Sequence, residues 1–231
     1  MGMMGLVTSL LDLRVVFTEV LGYRLSCLEF LGTATGLACV WLTAREKVWS
    51  WPLGIANAAF FFVMFFQLRL YSDMLLQVYY FATSVYGWWC WTHPRTSEES
   101  NRRRQLKIST MGRPALLLLL TTVAVSAVAF GSFISNVHDL LPGLFPEPAA
   151  YPYADSAVAV LSVAAQFIMA RKKLECWLLW MAVDALATGI YFLKGVNLLA
   201  LEYLVFGCIA FYGFWGWRRE HRSYKLMEAA A

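Results

Sequence analysis

One segment of this chain repeats itself without a gap. Adding 126 to each residue number from Glu29 to Trp91 lands on Asp155 to Trp217. Glu29 falls on Asp155, Ala44 on Ala170, Arg45 on Arg171, Lys47 on Lys173, Trp51 on Trp177, Tyr86 on Tyr212, Gly87 on Gly213, Trp89 on Trp215 and Trp91 on Trp217. Coincidence explains any one pair, but not an ungapped register that aligns an acid, a basic turn, glycines and tryptophans. The chain is therefore expected to fold as two copies of one supersecondary unit, with a joining segment between them.

Composition says what the unit is made of. Of 231 residues, 60% are hydrophobic and 15% charged, against roughly 45–50% and 25% in a soluble domain. There is too little polar surface to face water, so the chain reads as an integral membrane protein. Its apolar runs are long and do not alternate, which favours helices of about 20 residues over the alternating strands of about 10 residues in a barrel. Seven spans fit, at 27–43, 49–67, 73–91, 114–133, 155–170, 175–193 and 198–217. Four prolines in the 138–155 stretch forbid one continuous helix there. The resulting divisions are 1–26, an N-terminal surface segment; 27–91, the first three-helix repeat; 92–154, a linker with a connecting helix; 155–217, the second repeat; and 218–231, a tail.

Charge sets the orientation. On this division fifteen of the nineteen Lys and Arg residues share one side, leaving Arg14, Arg24, Arg69 and Lys194 on the other. Cytoplasmic loops carry the excess, so the N-terminus is expected outside and the C-terminus in the cytoplasm. Equivalent helices lie four apart, so both repeats point the same way: a parallel repeat about an axis along the membrane normal. Such duplications are typical of transporters, with the site between repeats near the midplane. Residues 1–25 do not read as a cleavable signal, because Asp12, Arg14, Glu19 and Arg24 break the apolar run. The stretch LLDLRVVFTEVLGY is expected as a short amphipathic helix on the membrane surface.

The chemistry available is that of binding. No GxxxxGK[ST] phosphate loop and no HExxH occurs, and His93, His138 and His221 fall in loops or the tail. Cys27, Cys39, Cys90, Cys176 and Cys208 are scattered and mostly within apolar runs, so they read as small core residues. No cofactor or metal is expected. What remains is a polar and aromatic lining. Trp177, Trp180, Asp184 and Tyr191 are spaced to share one face of the sixth span. The alternative for a tryptophan at a span's end is an interfacial belt, and it weighs more on Trp177 than on Trp180. Asp184, near mid-span, carries about 2.5–3.5 kcal/mol against insertion and should face protein or a wet cavity. Asn197, Glu202 and Tyr203 open the seventh span. Gln77 and Tyr80 lie on a polar stripe of the third with Ser84, which reads first as helix glue. Gln166 and Asn57 complete the candidate ligand-binding set, and the Gly32–Gly36 GxxxG reads as close helix packing.

Several runs resemble the PnuC family of bacterial vitamin transporters: WPLGIANAAFFFVMFFQLRLYSDMLLQVYYFATSVYGWW, DSAVAVLSVAAQFIMARKKLECWLLW with its WxxW at Trp177 and Trp180, and YFLKGVNLLALEY. The likeness runs from Glu29 to Trp217. It implies an all-α protein of seven transmembrane helices in a 3+1+3 arrangement similar to SWEET proteins. It further implies a homotrimer in the bacterial inner membrane with no nucleic-acid partner. The function it implies is facilitated diffusion of nicotinamide riboside, trapped afterwards by a cytoplasmic kinase. Relatives that carry thiamine or riboflavin share most of these motifs. Nicotinamide riboside and thiamine are both aromatic cations that Trp and Tyr faces attract, so this lining suits either; neutral, bulkier riboflavin fits less naturally. A proton-coupled transporter using Asp184, and a membrane-embedded enzyme or receptor, are the competing classes.

The charge asymmetry makes a direct prediction. A cysteine placed at Arg102 in a cysteine-free background should react with a membrane-impermeant maleimide only after the cytoplasmic face is opened. Labelling from outside intact cells would overturn the topology.

Overall fold

The computed structural model describes residues 12–13, 15–20, 23–68, 71–95, 105–140, 148 and 150–229. These residues form a hairpin, β1 (Val16–Val20) and β2 (Tyr23–Ser26), and seven helices: α1 (Cys27–Ala44), α2 (Ser50–Gln67), α3 (Tyr71–Thr92), α4 (Arg113–Leu140), α5 (Pro152–Ala170), α6 (Cys176–Leu193) and α7 (Asn197–Ala229). Each expected span falls on one helix. Among the described residues, all but α3 are long and apolar enough to cross a membrane, by length and composition. In α3 the buried polar groups Gln77, Thr83 and Ser84 interrupt the apolar run. The chain falls into two compact units, Met1–Pro94 and Arg95–Ala231.

The first unit opens with a departure from expectation. Residues 16–20 and 23 of the expected surface helix are strand instead. Val16–Val20 pairs antiparallel with Tyr23–Ser26, with Glu19 opposite Arg24. Val16, Phe17, Thr18 and Val20 are β-branched or aromatic, and that local preference prevails over the helical reading of the same apolar residues. Phe17 lies 5.3 Å from Phe30, ring centre to ring centre, fastening the hairpin to α1. Residues 10, 11, 14, 21 and 22 of that expected helix lie outside the described residues. Ser26 ends the strand and caps α1: its Oγ accepts from the Glu29 N–H at 3.1 Å while Glu29 Oε2 accepts from the Ser26 N–H at 2.8 Å.

Small residues let the three helices of this unit close on one another. Asn57 Nδ2 donates to the Gly32 carbonyl at 2.7 Å, and a Cβ on Gly36 would sit 3.0 Å from that same nitrogen. A Cβ on Gly54 would sit 3.1 Å from Ser84 Oγ. At the far end Trp51, 3% exposed, meets Trp91 edge to face, with ring centres 5.3 Å apart at 86°. The Trp51 ring fills the space in which Gly87 has no side chain.

The second unit repeats that joint in detail. Trp177 meets Trp217 edge to face at 5.4 Å and 89°, and a Cβ on Gly213 would come within 2.7 Å of the Trp177 ring. The turns leading into the two joints match as well. Glu46 has φ 55° and Lys172 φ 53°, a left-handed setting uncommon for side-chain-bearing residues. Lys47 N–H donates to the Leu42 carbonyl at 2.9 Å, and Lys173 N–H to that of Ile168 at 3.0 Å. The sequence register of 126 thus holds at the level of single backbone hydrogen bonds.

Three features of this unit go beyond the expected division. The connecting helix α4 packs on α5, where the Tyr153 ring fills the space beside Gly131. Residues 105–112 are sewn to the α5–α6 turn: Ser109 N–H donates to the Lys172 carbonyl at 3.1 Å, Leu174 N–H to that of Ser109 at 2.9 Å, and Met111 N–H to Glu175 Oε1 at 2.9 Å. Helix α7 does not stop at Trp217. It continues through residues assigned to the tail for 33 residues in all, about 50 Å at 1.5 Å per residue, well beyond a hydrocarbon core of about 30 Å.

The tryptophan–glycine joints predict a matched pair of outcomes. Gly87→Ala and Gly213→Ala should each lower stability by about 1–3 kcal/mol through overpacking, read as an earlier loss of the monodisperse peak on heating in size-exclusion assays. Gly195→Ala, at φ +75° with nothing within 4 Å, separates backbone strain from overpacking: its loss should be smaller, about 1 kcal/mol.

Candidate functional site

The residues singled out on the sixth span divide in the folded unit. Trp177 is wholly buried, its ring packed on Trp217 and against Gly213. It has no surface to offer a ligand, and its mate Trp51 does the same in the other unit, so Trp177 builds the joint instead of lining a site. Trp180 is different. It is half-buried, and its Nε1–H is enclosed without a hydrogen-bond partner among the described residues. The position equivalent to Trp180 in the first repeat is Gly54, so this indole is no part of the duplicated scaffold.

One turn on, Asp184 is 5% exposed. Its backbone carbonyl accepts from Thr188 Oγ1 at 2.6 Å, but its carboxylate has no hydrogen bond or ion pair among the described residues. Gly207 on α7 lies beside it: a Cβ there would meet Asp184 Cβ at 3.4 Å, an ordinary van der Waals contact. A buried carboxylate without a partner is costly. Its equivalent in the first repeat is Ala58, also buried, so the acid is likewise an addition to the scaffold.

Toward the other end of α6, Tyr191 and Tyr203 stack at 5.4 Å and 9°, and Tyr203 meets Phe206 at 6.4 Å and 66°. The α6–α7 joint thus carries an aromatic ladder of three rings, and Gly207, the residue after Phe206, lies beside Asp184. Glu202 is half-buried and has no ion pair among the described residues. Asn197 is exposed as the first residue of α7. Two participants were not singled out from sequence. Lys194, the C-cap of α6, bonds both Asp155 oxygens at 3.1 Å, and Phe206 continues the ladder. Lys194 is one of only four basic residues on its side of the charge division, which was the available signal.

The remaining candidates sit on other helices. On α5, Gln166 is half-buried one turn beyond the buried Ser162. In the first unit Asn57 has its amide committed to the Gly32 carbonyl, which makes it a helix-joining residue. Gln77 is buried on α3, while Tyr80 is half-buried with its ring 5.8 Å from that of Tyr79. Ser84 is buried where α3 closes on Gly54 of α2. The mates of Gln77 and Tyr80 are Tyr203 and Phe206, the rungs of the ladder in the second unit. The duplicated scaffold thus carries different side chains at the same places: amide and phenol in one unit, two rings in the other.

This assembly of apolar helices around unpartnered polar groups and stacked rings is that of a membrane transporter, and the comparisons agree. Residues 26–219 match the family model described as nicotinamide mononucleotide transporter, and the chain belongs to that family. It is 36% identical over 217 residues to the nicotinamide riboside transporter PnuC of Escherichia coli (strain K12), covering 87% of this chain and 89% of that one. It is 23% identical to the riboflavin/roseoflavin transporter RibM of Streptomyces davaonensis, covering 87% and 90%. In fold it is similar to a crystal structure of the vitamin B3 transporter PnuC, with TM-score 0.63 and 21% identity over 85% of this chain and 82% of that one. The proteins it matches are transporters, which sets the enzyme reading aside.

The contrast between Trp180 and the buried tryptophans predicts separable phenotypes. Trp180→Ala should weaken ligand binding by about 1–3 kcal/mol, roughly 5- to 150-fold, with the gel-filtration profile intact. Trp180→Phe should recover part of the loss. Trp91→Ala, from a side chain with no exposed surface, should instead lower stability by about 3–5 kcal/mol. Titration and thermal melting of each purified variant check both.

Proposed function

We propose that this protein takes up nicotinamide riboside across the bacterial inner membrane by facilitated diffusion, with trapping by a cytoplasmic kinase. The observation that carries this reading is the pair on α6: an indole N–H and a buried carboxylate, one turn apart, neither with a partner among the described residues. A ligand whose positively charged ring faces Asp184 balances the carboxylate, and a carboxamide or hydroxyl oxygen on the same ligand accepts from the Trp180 N–H. The 36% identity to a nicotinamide riboside transporter, against 23% to a flavin transporter, supports the same choice. The family model's description names the mononucleotide, but the added phosphate would bring negative charge toward Asp184 and Glu202, which favours the nucleoside.

The wider arrangement goes with this reading. Seven spans form a 3+1+3 parallel repeat of the SWEET kind, with the N-terminus outside, the tail in the cytoplasm and a trimeric assembly. The matching turns and tryptophan joints support the duplication. The working site draws on Trp180, Asp184, Tyr191, Glu202 and Tyr203 of the second unit, and Asn197 and Gln166 of that unit and Gln77 and Tyr80 of the first remain candidates on their own helices. Thiamine is the second reading, because it too is an aromatic cation.

Facilitated diffusion makes a quantitative prediction. In sealed proteoliposomes without a trapping enzyme, internal nicotinamide riboside should plateau at the external concentration, with the mononucleotide, thiamine and riboflavin taken up more slowly. A plateau well above the external value, abolished by a protonophore, would show coupling instead.

A further inference from the structure

At the Lys194 end of α6 a cation is already bound, and it belongs to the chain itself. The Lys194 ammonium lies 3.1 Å from both Asp155 oxygens and 5.6 Å from the ring centres of Tyr151 and Tyr191. One carboxylate and two tyrosine faces around a nitrogen cation is the arrangement by which proteins recognise organic cations. One of those faces, Tyr191, is stacked on Tyr203, the first rung of the ladder that leads to Asp184.

Two observations separate this cage from ordinary scaffold. It is absent from the other repeat: the mates of Lys194 and Tyr191 are Leu68 and Phe65, and the mate of Asp155, Glu29, is engaged in the cap of α1. It is also open to solvent, since the Lys194 and Asp155 side chains are 30% and 46% exposed. An ion pair that exposed holds weakly, by about 0–1 kcal/mol, and the long lysine stem can swing out without disturbing the helix cap.

We propose that Tyr151, Asp155 and Tyr191 form a reception subsite for a cationic aromatic ligand, in which Lys194 is a tethered occupant that the arriving ligand displaces. The ligand then passes along Tyr203 and Phe206 toward Asp184. The ligand's identity rests on the function proposed above; the cation selectivity of the cage does not.

The test uses the full-length protein and three probes in calorimetry: nicotinamide riboside, its neutral 1,4-dihydro form, and 1-methylnicotinamide, a cation without ribose. Lys194→Gln removes the competitor and should tighten both cations by about 2- to 10-fold, leave the neutral probe unchanged, and lose the gain at high salt. Asp155→Asn should weaken both cations. If Lys194→Gln shifts all three probes alike, or neither cation, the pair is only a structural clasp and the inference is overturned. If 1-methylnicotinamide tightens while nicotinamide riboside does not bind at all, the subsite stands and the substrate reading falls.

Discussion

The joint on which each unit depends is a tryptophan edge driven into the face of another tryptophan, beside a glycine. Trp51 with Trp91 and Gly87, and Trp177 with Trp217 and Gly213, are built to nearly the same distances and angles. In lipid no hydrophobic difference pulls helices together, so association rests on close contact and on small residues that permit it. A large flat ring seated where a side chain is missing supplies much of that contact at one place. The left-handed turns at Glu46 and Lys172 aim the helices into the joint. Because these parts carry the architecture, the rest of each helix is free to vary.

That freedom is visible in how the two units differ. Where the first has Gly54 and Ala58, the second has Trp180 and Asp184; where the first has Gln77, the second has Tyr203. Gly54 lets Ser84 approach and closes the helices of the first unit. In the second unit the same position carries an indole whose N–H is unmatched, and one turn on the buried Asp184 carboxylate lies beside Gly207 of α7. Polar groups that a lipid-embedded protein does not satisfy internally are expensive, which is the physical ground for the ligand site proposed at this helix joint.

Much of this was legible in the amino-acid sequence because it depends on local and periodic information. The apolar run lengths located all seven helices, and the offset of 126 located two equivalent units. Spacing on one helix picked out Trp180 and Asp184, since a face is defined by 3.6-residue periodicity without reference to any neighbour. The same periodicity misread residues 16–20 and 23, where β-branched and aromatic residues pair as strands, and it does not tell how far α7 runs past its apolar part.

Only the tertiary structure decided which polar and aromatic groups already have partners. Trp177 and Trp180 are indistinguishable by spacing and residue type, yet one is wholly buried against Trp217 and the other stays half-exposed. Asn57 looked like a buried amide awaiting a ligand until the Gly32 carbonyl met it, and Lys194 like one stray positive charge until Asp155, 39 residues away, closed on it. Composition and period determined that the chain is a duplicated bundle of apolar helices, because burial in lipid acts on each helix separately. Which side chains remain to bind something is a property of helix pairs, set by side-chain contacts between residues far apart in the chain.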